Sequence, residues 1–186
     1  MTGPDATALD RLLMARSVRR GHFRLASGRT SAFYIDARLT TMSSEGLNLI
    51  GRLGLAAIRG QGWAPRAVGG LTLGADPVAY AVAAASAISG PAVDAFTVRK
   101  EVKGHGMGRR VEGNFQPGDE VVVVEDVVTS GESALQATEV LRNEGGQVLG
   151  IMAVVDREEG GLMALRAKGL QVVVLTTATR LGLTQE

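Results

Sequence analysis

The 186-residue chain contains no cysteine at all. That excludes disulfides and thiolate metal sites, and with them the small stapled secreted folds and the zinc ribbons. Charge of one sign is not in excess: 20 Lys and Arg face 19 Asp and Glu, a formal net of +1, which argues against a broad nucleic-acid-binding face. The N-terminus has no apolar signal core, and no apolar run approaches the eighteen or so residues of a membrane helix. The expectation is a cytoplasmic protein with no membrane and no nucleic-acid partner. Its 45% apolar content is enough for one full core, and Gly, at 25 residues, is spread over turns without a repeat or linker.

What is present is organised around Val121–Ser133, VVVVEDVVTSGES. Four consecutive valines predict a short strand that is apolar on both faces, as interior strands of parallel sheets are. Glu125 and Asp126 end it, and Thr129, Ser130 and Gly131 lead into a helix over Glu132–Asn143. Small residues opening a helix offer free backbone N–H groups to an anion. Two carboxylates at the strand tip suit ribose hydroxyls or a metal-bound sugar. Neither a P-loop nor a dinucleotide fingerprint is present.

Along the chain, Asp5–Val18 reads as an amphipathic helix with Leu9, Leu12, Leu13 and Met14 on one stripe. Two strand-like pieces within 22–38 flank the turn Ser27-Gly28-Arg29, either a small hood over a site or an edge feature. Ser43 or Ser44 caps a helix reaching about Arg59. Ala67–Gly70 predicts a strand running into LTLGADP, with Asp76 and Pro77 as N-cap and first residue of an Ala-rich helix to about Ser89. Val93–Val98 is the next strand. Arg99–Gly113, RKEVKGHGMGRRVEG, is basic and Gly-rich: a solvated loop, or a lid over an anionic substrate. Gly146–Val155 and Leu170–Leu175 are further strands around a short helix, Leu162–Lys168. Strands alternating with helices imply right-handed crossovers and a mostly parallel sheet. Arg157, at a strand tip, either meets a ligand carboxylate or pairs with Glu158 or Glu159 on the surface.

Taken together, these segments resemble bacterial orotate phosphoribosyltransferases, type I enzymes, over almost the whole chain. The central stretch resembles the family's phosphoribosyl pyrophosphate (PRPP) signature, SGRTSAFYIDAR its hood, GGLTLGADP its pyrophosphate loop, and RKEVKGHG its catalytic loop. The resemblance implies a type I phosphoribosyltransferase fold: one α/β domain over 1–186, with a hood over about 1–40 and a core over about 41–186. It implies Mg²⁺-dependent transfer of the phosphoribosyl group from PRPP to orotate, giving orotidine 5′-monophosphate and pyrophosphate in pyrimidine (UMP) biosynthesis. The rival readings are transfer to another base, or a regulator that keeps the site as a PRPP sensor.

By resemblance, Arg99, Lys100, Lys103 and His105 supply charge from the closing loop and, with Asp126, are catalytic. Glu125 and Asp126 hold the ribose, Thr129, Ser130, Gly131, Glu132 and Ser133 cradle the 5′-phosphate, and Val127 and Val128 also belong to the PRPP site. Tyr34 and Ile35 present backbone to orotate, Thr129 touches it, and Arg157 pairs with its carboxylate. No protein group ligates the metal directly, Mg²⁺ being held through PRPP and water. The loop reaches across a homodimer into the neighbour's site. Ala26, and Thr72-Leu73, stand where some relatives carry Lys and Tyr-Lys; Arg24 and Arg29 are the cations nearby.

Overall fold

The computed structural model describes residues 3–24, 30–101 and 110–183. Helix α1 (Pro4–Arg16) opens with Pro in its first turn, where no backbone donor is needed, and buries Ala6, Leu9, Leu12 and Leu13. It ends two residues earlier than its periodicity suggests. Ser17 turns its backbone N–H back to Leu13, and its hydroxyl shares a buried hydrogen bond with Thr40 at 2.7 Å. Val18 therefore starts a strand. Strands β1 (Val18–Arg24) and β2 (Thr30–Ile35) form a separate antiparallel two-stranded sheet, with an irregularity between Arg20 and Phe23. A short turn, α2 (Arg38–Thr41), leads to α3 (Ser44–Gly60), capped by Ser43 Oγ accepting from Gly46 N–H at 3.1 Å.

The larger sheet begins with β3 (Ala67–Leu71), followed by α4 (Ala75–Ser89) and β4 (Asp94–Val98). Gly74, not Asp76, is the N-cap of α4, so Asp76 and Pro77 occupy its second and third positions. Proline is tolerated there because the first four N–H groups of a helix have no intrahelical partner. After β4 the chain returns as β5 (Val111–Gly113), which pairs antiparallel with β4 and was not evident in the basic run. Strand β6 (Glu120–Val128), helix α5 (Glu132–Asn143), strand β7 (Gln147–Asp156), helix α6 (Gly161–Ala167) and strand β8 (Val172–Thr177) complete the chain.

The strand order β5-β4-β3-β6-β7-β8 puts β6 in the interior, parallel to both neighbours; only β5 runs against the rest. Its valines divide between the two faces. Val122 and Val124 pack with α3 and α4, while Val121 and Val123 pack with α5. All four are fully buried. Such a side chain contributes roughly 1.5–3 kcal/mol on burial, which is why an unbroken valine run fixes this strand at the centre. Among the described residues, no helix is long and apolar enough to cross a membrane.

Candidate functional site

The carboxyl ends of β3, β6 and β7 meet the end of β2 around one cavity of about 350 Å³. From the small sheet and the turn after it come Tyr34, Ile35, Asp36, Ala37 and Arg38. From the β3–α4 turn come Leu71, Thr72, Leu73 and Gly74; the Thr72–Leu73 peptide is cis. The end of β6 and the turn after it supply Glu125, Asp126, Val127, Thr129 and Ser133, and Arg157 and Lys100 complete the wall. A smaller cavity of about 70 Å³ adjoins it, formed by Glu125 and the run from Val127 to Ala134. This is where doubly wound sheets bind ligands, at the carboxyl ends of their strands.

The smaller cavity is a backbone cradle. Gly131, with φ 84°, caps α5 from the left-handed region that glycine favours, and no side chain caps that helix. A Cβ at Gly131 would stand 2.9 Å from Leu165 Cγ, so the turn is also packed tightly from beneath. Ser130 Oγ accepts from Glu132 N–H at 3.4 Å. The helix N-terminus is thus left open to an anion from the cavity side.

The carboxylates lie deeper than the sequence suggests. Strand β6 does not end at Glu125 and Asp126 but continues to Val128, its pairing with β7 running on to Val128 opposite Asp156. The four-valine run masked the second pair, Val127 and Val128, which carries the ladder past the acids. Burial pushes the Glu125 carboxyl well above the usual carboxylate range, and the neighbouring Asp126 charge adds to this. Burial also raises Asp126, against hydrogen bonds that favour its ionised form, including one donated by Val127 N–H to Oδ1 at 2.9 Å. Of the two adjacent acids, Glu125 is pushed up the more strongly. Glu125 Oε2 is buried with no hydrogen-bond partner. A pair of hard oxygen donors with one unsatisfied suits ribose hydroxyls, or a Mg²⁺ ion held mainly by phosphate and water. Among the described residues no group of three or more His, Asp or Glu gathers around a single point.

Arg157 is held differently from either simple expectation. It lines the cavity, yet it pairs with Glu159 at 2.7 Å, and both side chains are almost wholly buried rather than on the surface. Its guanidinium also lies over the Phe33 ring, 5.1 Å from the centroid, and donates to Ser31 Oγ at 3.4 Å. Phe33 and Ser31 belong to β2, so this one side chain ties the small sheet to the end of β7. Nε remains buried and without a partner.

Lys100 lines the cavity, whereas Arg99 does not; its guanidinium donates to Glu112 Oε1 at 2.7 Å on the β4–β5 edge. Arg110 bridges the root of the segment, donating to the carbonyls of Arg99 and Lys100. Lys103, His105, Ala26 and Arg29 lie outside the described residues. Arg24 ends β1, away from the cavity lining. Val128, Ser130, Gly131 and Glu132 border the smaller cavity only. Sequence reasoning missed Asp36 and Arg38 as cavity residues, and the signal was there: an acid and a base two apart, directly after the hood strand.

This geometry agrees with what the chain is similar to. Residues 50–170 match the family model of the phosphoribosyl transferase domain. The orotate phosphoribosyltransferase of Rhodopirellula baltica is 42% identical over 183 residues, covering 96% of this chain and 95% of that protein. The Mycobacterium tuberculosis H37Rv orotate phosphoribosyltransferase in complex with Fe(III) dicitrate superposes with a TM-score of 0.86 at 43% identity, over 97% of this chain and 100% of that one. The same enzyme in complex with PRPP gives a TM-score of 0.82 at 39% identity, again over 97% and 100%. By core, by length and by fold, the chain belongs to the orotate phosphoribosyltransferases.

Proposed function

We propose that the chain joins orotate to PRPP in the cavity at the strand ends, giving orotidine 5′-monophosphate and pyrophosphate for pyrimidine biosynthesis. One observation carries the assignment of roles. Two adjoining cavities that share Glu125, Val127, Thr129 and Ser133 bring together the open N-terminus of α5, the Glu125–Asp126 pair and the guanidinium of Arg157. Phosphate, ribose and a base carrying a carboxylate each find a matching group there.

The 5′-phosphate sits in the cradle of Val127, Val128, Thr129, Ser130, Gly131, Glu132 and Ser133, where backbone donors and the helix dipole favour an anion. Glu125 and Asp126 take the ribose hydroxyls and favour positive charge growing on the sugar as the bond to pyrophosphate lengthens. Orotate lies along Tyr34 and Ile35 beside Thr129, its carboxylate on the fork of Arg157, which Lys would not reproduce. Its ring nitrogen supplies the electron pair for the new bond, so no protein nucleophile is required. Mg²⁺, bound through pyrophosphate and water, supplies counter-charge to the leaving group; Lys100, with Arg99, Lys103 and His105, adds to it. The burial of Arg157 and of Glu125 helps keep water from the activated sugar.

A homodimer with shared sites is part of this reading. Arg99 points along the sheet edge rather than into its own cavity, which supports its use in a neighbour's. An apolar groove between α3 and α4, where Tyr80 and Ile88 are largely exposed, offers a face for a second copy. The hood, about 1–40, and the core, about 41–186, act as one domain, in the cytoplasm.

The test mixes purified protein with orotate, PRPP and Mg²⁺ and follows orotate's ultraviolet absorbance, with uracil, xanthine and guanine in parallel. Loss of orotate alone, dependent on both PRPP and Mg²⁺, is expected. Turnover of a purine would overturn the role of Arg157, and PRPP binding without any turnover would favour a sensor. Mixed Lys103→Ala and Asp126→Ala chains are expected to recover partial activity as heterodimers; none would refute shared sites.

A further inference from the structure

Arg38 is a cavity cation to which the reading above gives no role. Three cationic side chains line the larger cavity among the described residues: Lys100, Arg157 and Arg38. Arg157 is buried against Glu159, and Lys100 belongs to the loop root. Arg38 instead starts from a fixed point of the framework and stays about half exposed, its side chain at 45%.

Its orientation is set by Asp36. The Asp36 carboxylate accepts from Arg38 backbone N–H at 3.2 Å, from Nε at 2.8 Å and from Nη2 at 3.0 Å. Asp36 is itself tied to the core, its N–H donating to Ser17 O at 2.9 Å, and Ala37 between them is fully buried. One edge of the guanidinium is therefore committed to Asp36 while the side chain borders the same cavity as the Leu71–Gly74 turn and Asp126. The proximity of Asp36, and more weakly of Tyr34 and Asp126, favours the charged form of Arg38.

We propose that Arg38 contacts the diphosphate of PRPP, with Asp36 as the residue that positions it. The inference rests on the transferase reading. When the anomeric C–O bond breaks, its electron pair leaves with the diphosphate as the orotate nitrogen closes the new C–N bond and its N–H proton passes to the departing diphosphate. A guanidinium held beside the Leu71–Gly74 turn meets that charge without first losing side-chain freedom, and its remaining donors suit phosphate oxygens.

The experiment measures binding of inorganic diphosphate with Mg²⁺ by calorimetry, together with steady-state constants for PRPP and orotate, in the wild type, Arg38→Ala, Arg38→Lys and Asp36→Asn. Arg38→Ala is expected to weaken diphosphate binding and raise the KM for PRPP by about 10- to 100-fold, the scale of losing one hydrogen bond to a charged group. The KM for orotate should stay within about twofold, Arg38→Lys should recover part of the loss, and Asp36→Asn should fall between wild type and Arg38→Ala. Melting temperatures should barely move, because exposed ion pairs contribute little to stability. Unchanged diphosphate affinity in Arg38→Ala, or equal losses for orotate and diphosphate, would overturn the proposal. A wild type that binds diphosphate yet consumes no orotate would overturn the enzyme reading and leave this binding comparison intact.

Discussion

Replacing Gly74 with Ala isolates the position of one carboxylate from everything else. Gly74 has φ −64° and ψ −39°, helical values that alanine adopts freely, so the backbone does not resist the change. A Cβ there would stand 2.6 Å from Asp126 Cγ and 2.8 Å from Oδ2, and closer still to Oδ1. Carbon–carbon contacts relax at about 3.5–4.0 Å, so the carboxylate must retreat by about 1 Å. It is the free end of a side chain and has somewhere to go, so the fold should lose little. Catalysis is less forgiving: a misplacement of about 1 Å commonly costs about 100-fold, or about 2.7 kcal/mol of transition-state stabilisation. The orotate absorbance assay, run with PRPP varied, should show kcat/KM for PRPP falling by that order while the melting temperature stays within a few degrees. A Gly74→Ala enzyme with wild-type kcat/KM would refute the reasoning, because it would mean that the observed place of the Asp126 carboxylate is not the working one.

Three further perturbations have definite outcomes. Gly69→Ala is the contrasting case: its Cβ would lie 2.6 Å from Phe96 Cε2 and closer to the Phe96 carbonyl, and backbone cannot step aside, so a loss of about 1–3 kcal/mol is expected by denaturant titration. Arg157→Lys should raise the KM for orotate far more than that for PRPP, since a point charge replaces a fork; equal effects on both would contradict the assignment. Glu125→Gln should abolish turnover yet stabilise the fold at neutral pH. A carboxyl raised by folding contributes its full stability below its unfolded value and loses it as pH climbs through the folded one, so a permanently neutral Gln gains on it as pH rises. The melting-temperature difference between the two proteins should therefore shrink on acidification; a constant difference would remove the buried charge from the argument.

How much of this was legible in the residues differs by element. The β6–α5 unit was, because four valines admit one placement and a small-residue turn announces a helix start; α5 spans the expected Glu132–Asn143. Boundaries set by tertiary contacts were not. The Ser17–Thr40 hydrogen bond ends α1 early, and the pairing with β7 carries β6 past its acids. Strand β5 escaped notice because three residues paired at an edge leave no periodic trace. In the site, motif residues pointed to the phosphate cradle and the carboxylates. The Arg157–Glu159 pair was half-legible: the partner was foreseen, its burial was not, since local sequence does not say that Phe33 and Ser31 will fold over a distant arginine. Arg38 and Asp36 were passed over because two opposite charges near the end of a hairpin look like ordinary solvated surface.

The two sheets share no strand, and the match to the broad phosphoribosyl transferase family starts at residue 50, after the small sheet has ended. Groups assigned to the ribose and its 5′-phosphate thus ride on one scaffold, while those assigned to the incoming ring are divided, Tyr34 and Ile35 on the small sheet and Thr129 and Arg157 on the larger. Arg157 is the rivet between them. Such an arrangement lets part of the base contact be rewritten in the small sheet while the groups that activate the sugar stay on the larger one.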